Sequence, residues 1–95
     1  MEGKKVIVRG VNSGVFFGTL DSQNGQKVVL KNARNLWYWE GAASIMQIAA
    51  EGVKTPSECK FTVVVSSLML LDVVEIIPCT DEAVANIERV GTWRI

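Results

Sequence analysis

The run Val15-Phe16-Phe17-Gly18-Thr19-Leu20-Asp21-Ser22-Gln23-Asn24-Gly25-Gln26-Lys27-Val28-Val29-Leu30 decides the fold. Two stretches rich in β-branched and aromatic residues flank Asn24-Gly25, a pair that tolerates positive φ at both positions and so favours a type I′ hairpin turn. Centring a two-residue turn there pairs Leu20 with Val29 and Thr19 with Leu30. In that register Phe16, Leu20 and Val29 share one face, and Phe17, Val28 and Leu30 share the other. Both faces are partly apolar, so the sheet is expected to be covered on two sides, by a helix on one and by a neighbour on the other. Gly18, inside the first of these strands, predicts a bulge or a group pressed against the backbone.

Upstream, Lys4 to Arg9 is rich in Val and Ile and reads as a strand, and Gly10-Val11-Asn12-Ser13-Gly14 as a turn. Downstream, Leu36 to Trp39 is a short aromatic extended piece, and Gly41 allows a sharp turn. From Ala42 the period changes: Ile45, Ile48 and Ala49, with Ala42 one turn earlier, form one apolar helical stripe, and Gly52 is placed to end it. Lys54 to Glu58 reads as a polar loop, with Pro56 excluding helix. Phe61 to Val65 is a strand, broken by Ser66-Ser67. Leu70 to Ile77 is a longer strand, closed by Pro78. Thr80 caps a final helix with Asp81 and Glu82 in its first turn and Ala83, Val84, Ile87 and Val90 on its buried side. The apolar tail residues Trp93 and Ile95 call for a docking place. The expectation is a single α+β domain over residues 1–95, an antiparallel sheet of about five strands with two helices.

At 95 residues the core is small, and a mean hydropathy of +0.23 is high for such a chain, so self-association into a homo-oligomer is expected. No apolar run reaches the roughly 18 residues of a membrane span. Met1-Glu2-Gly3-Lys4-Lys5 leads into a strand rather than an apolar signal core, which argues against export. Ten basic and ten acidic residues cancel, which disfavours broad nucleic-acid binding but leaves room for a local cationic cluster.

The stretch Arg34 to Gly41 is the candidate site. It holds Trp37 and Trp39, two of the three tryptophans, with Tyr38 between them and Glu40 after them. Indoles stack on flat heteroaromatic rings, and a guanidinium grips phosphate through paired hydrogen bonds. Arg34, Trp37 and Trp39 are therefore proposed as ligand contacts, with Arg9 and Lys31 adding charge; the competing reading makes the tryptophans core and interface anchors. No histidine is present, so no Ser-His dyad exists, and no metal or cofactor is expected. Asp72 and Glu75 lie three apart on an expected strand and face opposite ways, poor geometry for a carboxylate pair. Gly10, Gly14 and Gly18 read as turn and strand glycines. Cys59 and Cys79 read as small, half-buried thiols, reduced in a cytosolic chain.

The segments Val15 to Leu20, Val28 to Arg34, Trp37-Tyr38-Trp39-Glu40-Gly41-Ala42 and Val74 to Pro78 resemble a family of small uncharacterised proteins of tailed phages and prophages. The likeness runs roughly from Val6 to Trp93. It implies a phage origin and action in the bacterial host cytoplasm, and assigns no functional residue. By analogy with small phage proteins that capture nucleotide-derived immune signals, the expected function is a non-enzymatic, oligomeric sequestering module. The alternative is a structural or protein-interaction module that meets a host or phage protein.

Overall fold

The computed structural model describes residues 1–95. Six strands form one antiparallel sheet with two short helices, the α+β class expected. The strands are β1 (Lys5–Gly10), β2 (Val15–Asn24), β3 (Lys27–Tyr38), β4 (Lys60–Phe61), β5 (Val65–Leu70) and β6 (Val73–Pro78). The helices are α1 (Ile45–Glu51) and α2 (Asp81–Arg89).

The hairpin forms as expected, but its turn is displaced by one residue. Gly25 takes the first central position at φ +62° with Gln26 second, the Gly-first pattern of a type II′ turn, and Asn24 pairs with Lys27. A register shift between Leu20 and Ser22 leaves Asp21 unpaired, so Leu20 faces Leu30, and Thr19 faces Lys31. Moving the turn by one residue shifts the pairing by two and keeps the faces, so it is the one-residue bulge at Asp21 that moves Val28 and Leu30 onto the face of Phe16 and Leu20, away from Phe17.

A second irregularity then reverses the alternation within β3. Asn32 is the only non-glycine residue at positive φ (+51°), and the β2–β3 register shifts beside it, between Phe17 and Thr19. Asparagine tolerates that left-handed conformation better than most residues. Val28, Leu30 and Ala33 therefore lie on one face, while Arg34 and Leu36 turn to the other. Gly18 faces this bulge: a Cβ there would lie 3.1 Å from the Lys31 carbonyl and 3.2 Å from Ala33 Cα. The sequence expectation of a bulge or close approach at Gly18 is met by both.

The strand order is β4-β3-β2-β1-β6, with β5 also on the outer side of β3. Between β5 and β6 lie only Leu71 and Asp72, so Leu70 and Val73 can be at most about 11 Å apart. Laid flat, the four spacings from β5 to β6 would separate them by about 19 Å. The sheet must therefore curl. Its concave side holds a core of sheet residues alone: Val6, Val8, Phe16, Leu20, Val28, Leu30, Ala33, Leu70 and Val73. The second apolar face of the hairpin is thus covered within the chain, and needs no neighbour.

The other face packs Ile7, Phe17, Leu36 and Phe61 against Ile48 and Ala49 of α1 and Ala83 and Ile87 of α2. Ser44 caps α1 by accepting from the Gln47 N–H, so the helix begins three residues after Ala42. Gly52 ends α1 at φ +83°, where a Cβ would also strike the Asn86 side chain at 2.3 Å. Asn86 holds Val53 by two hydrogen bonds, Val53 N–H to Oδ1 (2.8 Å) and Nδ2 to the carbonyl (2.9 Å), locking the helices together. Thr80 caps α2 as expected, accepting from the Ala83 N–H, and donates to the Ala50 carbonyl.

Three segment boundaries differ from the sequence reading. Ser66-Ser67 lie inside β5, and the break falls instead at Thr62–Val64. The expected strand Leu70 to Ile77 is divided at Leu71-Asp72, because the Asp72 carboxylate turns to accept from Asn12 N–H, Ser13 N–H and Ser13 Oγ at 2.7–3.0 Å. Pro56 opens a single 3-10 turn through Glu58, where its missing N–H is not needed.

Candidate functional site

The end of β3 carries the aromatic stretch to the surface, where the loop between β1 and β2 meets it. Asn12, Ser13, Gly14, Val15, Asn35, Leu36, Trp37 and Trp39 line an open cleft of about 320 Å³. Trp39 is half-buried and packs against the helix-side core, while Trp37 is 64% exposed. The structure thus brings the two proposed indoles to one cleft.

Hydrogen bonds hold the loop wall in place. Asp72 binds two of its N–H groups and the Ser13 hydroxyl, and Gly10 N–H donates to the Gly14 carbonyl at 2.9 Å. The same bonds, the Ser13 hydroxyl foremost, hold the Asp72 carboxyl below its ordinary pKa. Ser13 is therefore committed to the fold. The side-chain amides of Asn12 and Asn35 make no hydrogen bond to the protein, although each offers a donor and an acceptor. Sequence reasoning passed over both, one as a turn residue and the other as a neighbour of the aromatics.

Trp37 also stacks on Trp93, with ring centroids 6.1 Å apart and planes at 20°. The tail reaches it through the Trp93 N–H, which donates to the Phe61 carbonyl at 2.8 Å, so the apolar tail has its docking place beside β4. Lys60 lies 5.6 Å from the Trp93 ring and 6.0 Å from that of Tyr38. Tyr38 donates to Glu40, a bond that raises its pKa. Lys60 was not among the cations singled out from sequence, though its β4 position opposite Tyr38 makes it the charge of this aromatic group.

Arg34 is not part of the site, which corrects the sequence expectation. It is 5% exposed, and all five guanidinium donors are spent on backbone carbonyls. Nε reaches Thr62 (3.0 Å); Nη1 reaches Ile87 (3.3 Å) and Val90 (3.0 Å); Nη2 reaches Phe61 (3.2 Å) and Gly91 (3.3 Å). Its plane stands 5.5 Å from the Phe61 ring. Burial lowers its pKa. Placed at the last carbonyls of α2, the cation also opposes the helix dipole.

Arg9 and Lys31 do not join the cleft either. Arg9 is the cross-strand partner of Val15, which lines the cleft, but Arg9 itself is not in the lining and its guanidinium is bound to Glu75. Lys31 lies on the other half of β3, opposite Ser67, whose hydroxyl it approaches at 3.4 Å. Cys59 and Cys79 are both free and half-buried, and burial pushes the Cys79 thiol up to about 11. No helix is long and apolar enough to cross a membrane.

A family model, described as a domain of unknown function (DUF6948), matches residues 3–87. No curated protein and no solved structure matches the chain.

Proposed function

The chain belongs to the DUF6948 family, and from that premise we propose that it is a non-enzymatic phage module that binds the base of a nucleotide-derived signal and sequesters it in the bacterial host cytoplasm. The carrying observation is the cleft in which two indoles, Trp37 and Trp39, stand with two uncommitted carboxamides, Asn12 and Asn35. Stacking on an indole suits any flat heterocycle and contributes about 1–3 kcal/mol per base. Carboxamides read the donor and acceptor edges of such a ring without needing charge. With Arg34 buried, the grip on the base precedes the grip on the phosphate, and Lys60 at the Trp93 ring is the cation that extends the aromatic surface. The proposed protein holds its ligand without transforming it, and acts as a homo-oligomer.

Thermal-shift screening against cyclic di- and trinucleotides and ADP-ribose derivatives tests the reading, followed by titration of any hit. Trp39→Ala should weaken binding by about 1–3 kcal/mol, and Asn35→Ala should alter the preference between bases. Ligand recovered after heating the complex should be intact. Absence of a shift with every nucleotide class, or unchanged affinity in folded Trp37→Ala and Trp39→Ala variants, would overturn the assignment. A protein-interaction module is the second reading, favoured by the exposed aliphatic side chains of Val63, Val64, Val65, Met69, Leu71 and Val74.

A further inference from the structure

A second cleft, of about 270 Å³, lies beside the first and is lined by Pro56, Ser57, Cys59, Gly91, Thr92 and Trp93. Trp37 lines the first cleft and Trp93 the second, and these two rings stack on each other. The indole pair is therefore the partition between the clefts. Both rings keep exposed surface, 64% for Trp37 and 42% for Trp93, so each has area left for a ligand. The hydroxyls of Ser57 and Thr92 make no hydrogen bond to the protein, as the Asn12 and Asn35 amides make none in the first cleft. An indole with uncommitted hydrogen-bonding groups beside it is thus present twice. The partition is also fixed from behind. Arg34 binds the Val90 and Gly91 carbonyls, and the Trp93 N–H donates to the Phe61 carbonyl, which ties the tail to β3 and β4.

Size and charge select the ligand. Pockets that enclose a drug-sized molecule run from about 300 to 1,000 Å³. Each of these clefts stands at or below the lower end, which suits one ring system and not a whole dinucleotide. Lys60 belongs to neither lining and has no carboxylate partner, and it lies 5.6 Å from the Trp93 ring and 6.0 Å from that of Tyr38. The geometry points to a ligand with two heterocyclic bases joined through phosphate. One base lies against Trp37 in the first cleft, the other against Trp93 in the second, and the bridging phosphate sits at Lys60. A mononucleotide would use only one of the two clefts. Because the partition is two rings thick, the bases are splayed apart rather than stacked on each other, the state in which aromatic side chains take single-stranded bases. Once the first base is seated the second binds as an intramolecular step, which raises affinity beyond that of either base alone.

The inference rests on the reading of the first cleft as a base site, and one experiment separates the two. Isothermal titration compares each common ribonucleoside monophosphate with its linear 3′–5′ homodinucleotide. The dinucleotide of the preferred base should bind one per chain, about ten- to hundredfold more tightly than the mononucleotide, the worth of one further stacked base. Two variants remove the second cleft. Trp93→Ala takes away its indole wall. Gly91→Leu fills it and keeps the stacked pair; a Cβ at Gly91 meets nothing within 4 Å, so the side chain has room to enter. Each should bring the dinucleotide down to the affinity of the mononucleotide and leave mononucleotide binding unchanged. Where Trp93→Ala disturbs Trp37 as well, Gly91→Leu decides. Lys60→Gln should lower the salt dependence of dinucleotide binding by the share of one phosphate, a slope of about 0.7, and an unchanged slope refutes the phosphate contact at Lys60. A dinucleotide that binds no more tightly than its mononucleotide, or whose advantage survives in Gly91→Leu, refutes the two-cleft ligand and leaves the base site standing. Absence of binding by every mononucleotide and dinucleotide overturns both.

Discussion

Replacing Arg34 by lysine should unfold the protein far more readily while leaving its volume and charge nearly intact. The guanidinium supplies five donors in a planar fork, and each meets a carbonyl from a different residue. An ammonium has three donors on one atom and cannot span Thr62 to Gly91 at once. At least two carbonyls lose the Arg34 donor, and each left without another partner costs about 1–3 kcal/mol; Phe61 and Ile87 keep the Trp93 and Val90 N–H groups, so Arg34→Lys should cost about 1–3 kcal/mol. Arg34→Met, which removes every donor, should cost more than the lysine change, because Thr62, Val90 and Gly91 all lose the guanidinium at about 1–3 kcal/mol each. A domain of this length has about 5–14 kcal/mol in all, and each kcal/mol lowers Tm by about 4–8 °C. Urea unfolding with an unchanged slope is the assay. The carbonyls of Val90 and Gly91 lead directly to Trp93, so the near-ultraviolet circular dichroism of the Trp37–Trp93 pair should weaken as well. A lysine variant within about 0.5 kcal/mol of the parent, the usual scatter of surface substitutions, would refute the account of Arg34 as the clamp between β3, β4 and α2.

Asn32→Gly should be close to neutral, whereas Asn32→Val should cost about 1–2 kcal/mol, the penalty for a left-handed residue with a crowded Cβ; equal melting of the two would show that the bulge is not held at positive φ. The depressed Asp72 carboxyl adds stability that is present above the ordinary carboxylate pKa and is lost as pH falls through the lower folded value. Acid titration of Asp72→Asn beside the parent should therefore show a shallower loss in that window, and superimposable curves would contradict it. The raised Cys79 thiol works in the opposite direction: stability is full below the unfolded thiol value and declines as pH rises toward about 11. At pH 8 Cys79 should accordingly react with iodoacetamide much more slowly than a free thiol peptide, and equal rates would disprove its burial.

The elements that follow from local chemistry were legible in the sequence. The Gly25 turn, the Thr80 cap, the Gly52 stop and the apolar stripes of both helices each need only a few neighbouring residues. Register was not, because the one-residue bulge at Asp21 decides the faces without a local signal, and its place depends on which side chains the curled sheet can enclose. The sheet's division at Asp72 was hidden for a similar reason: its partners, Asn12 and Ser13, lie about sixty residues away. In the site, Trp37 and Trp39 stood out because indoles are rare and surface positions for them need a cause. Arg34 misled because its partners are main-chain carbonyls, which any residue supplies and no composition betrays. Asn12 and Asn35 gave no signal, since an amide without a bond looks the same in sequence as one with two.

The closure of the sheet has a kinetic consequence. β2 and β3 meet through a two-residue turn, but β1 pairs with β6 through partners about seventy residues apart, Val6 with Pro78 and Ile7 with Ile77. Bringing such distant segments together carries a large loop entropy before any contact rewards it. The hairpin is therefore the natural nucleus, and β6 is the last strand to arrive. Until it does, Val6, Ile7 and Val8 at the centre of both cores stand open along one edge. A nascent chain is at its most adhesive in that interval, and the pace at which β6 finds β1 sets how long the interval lasts.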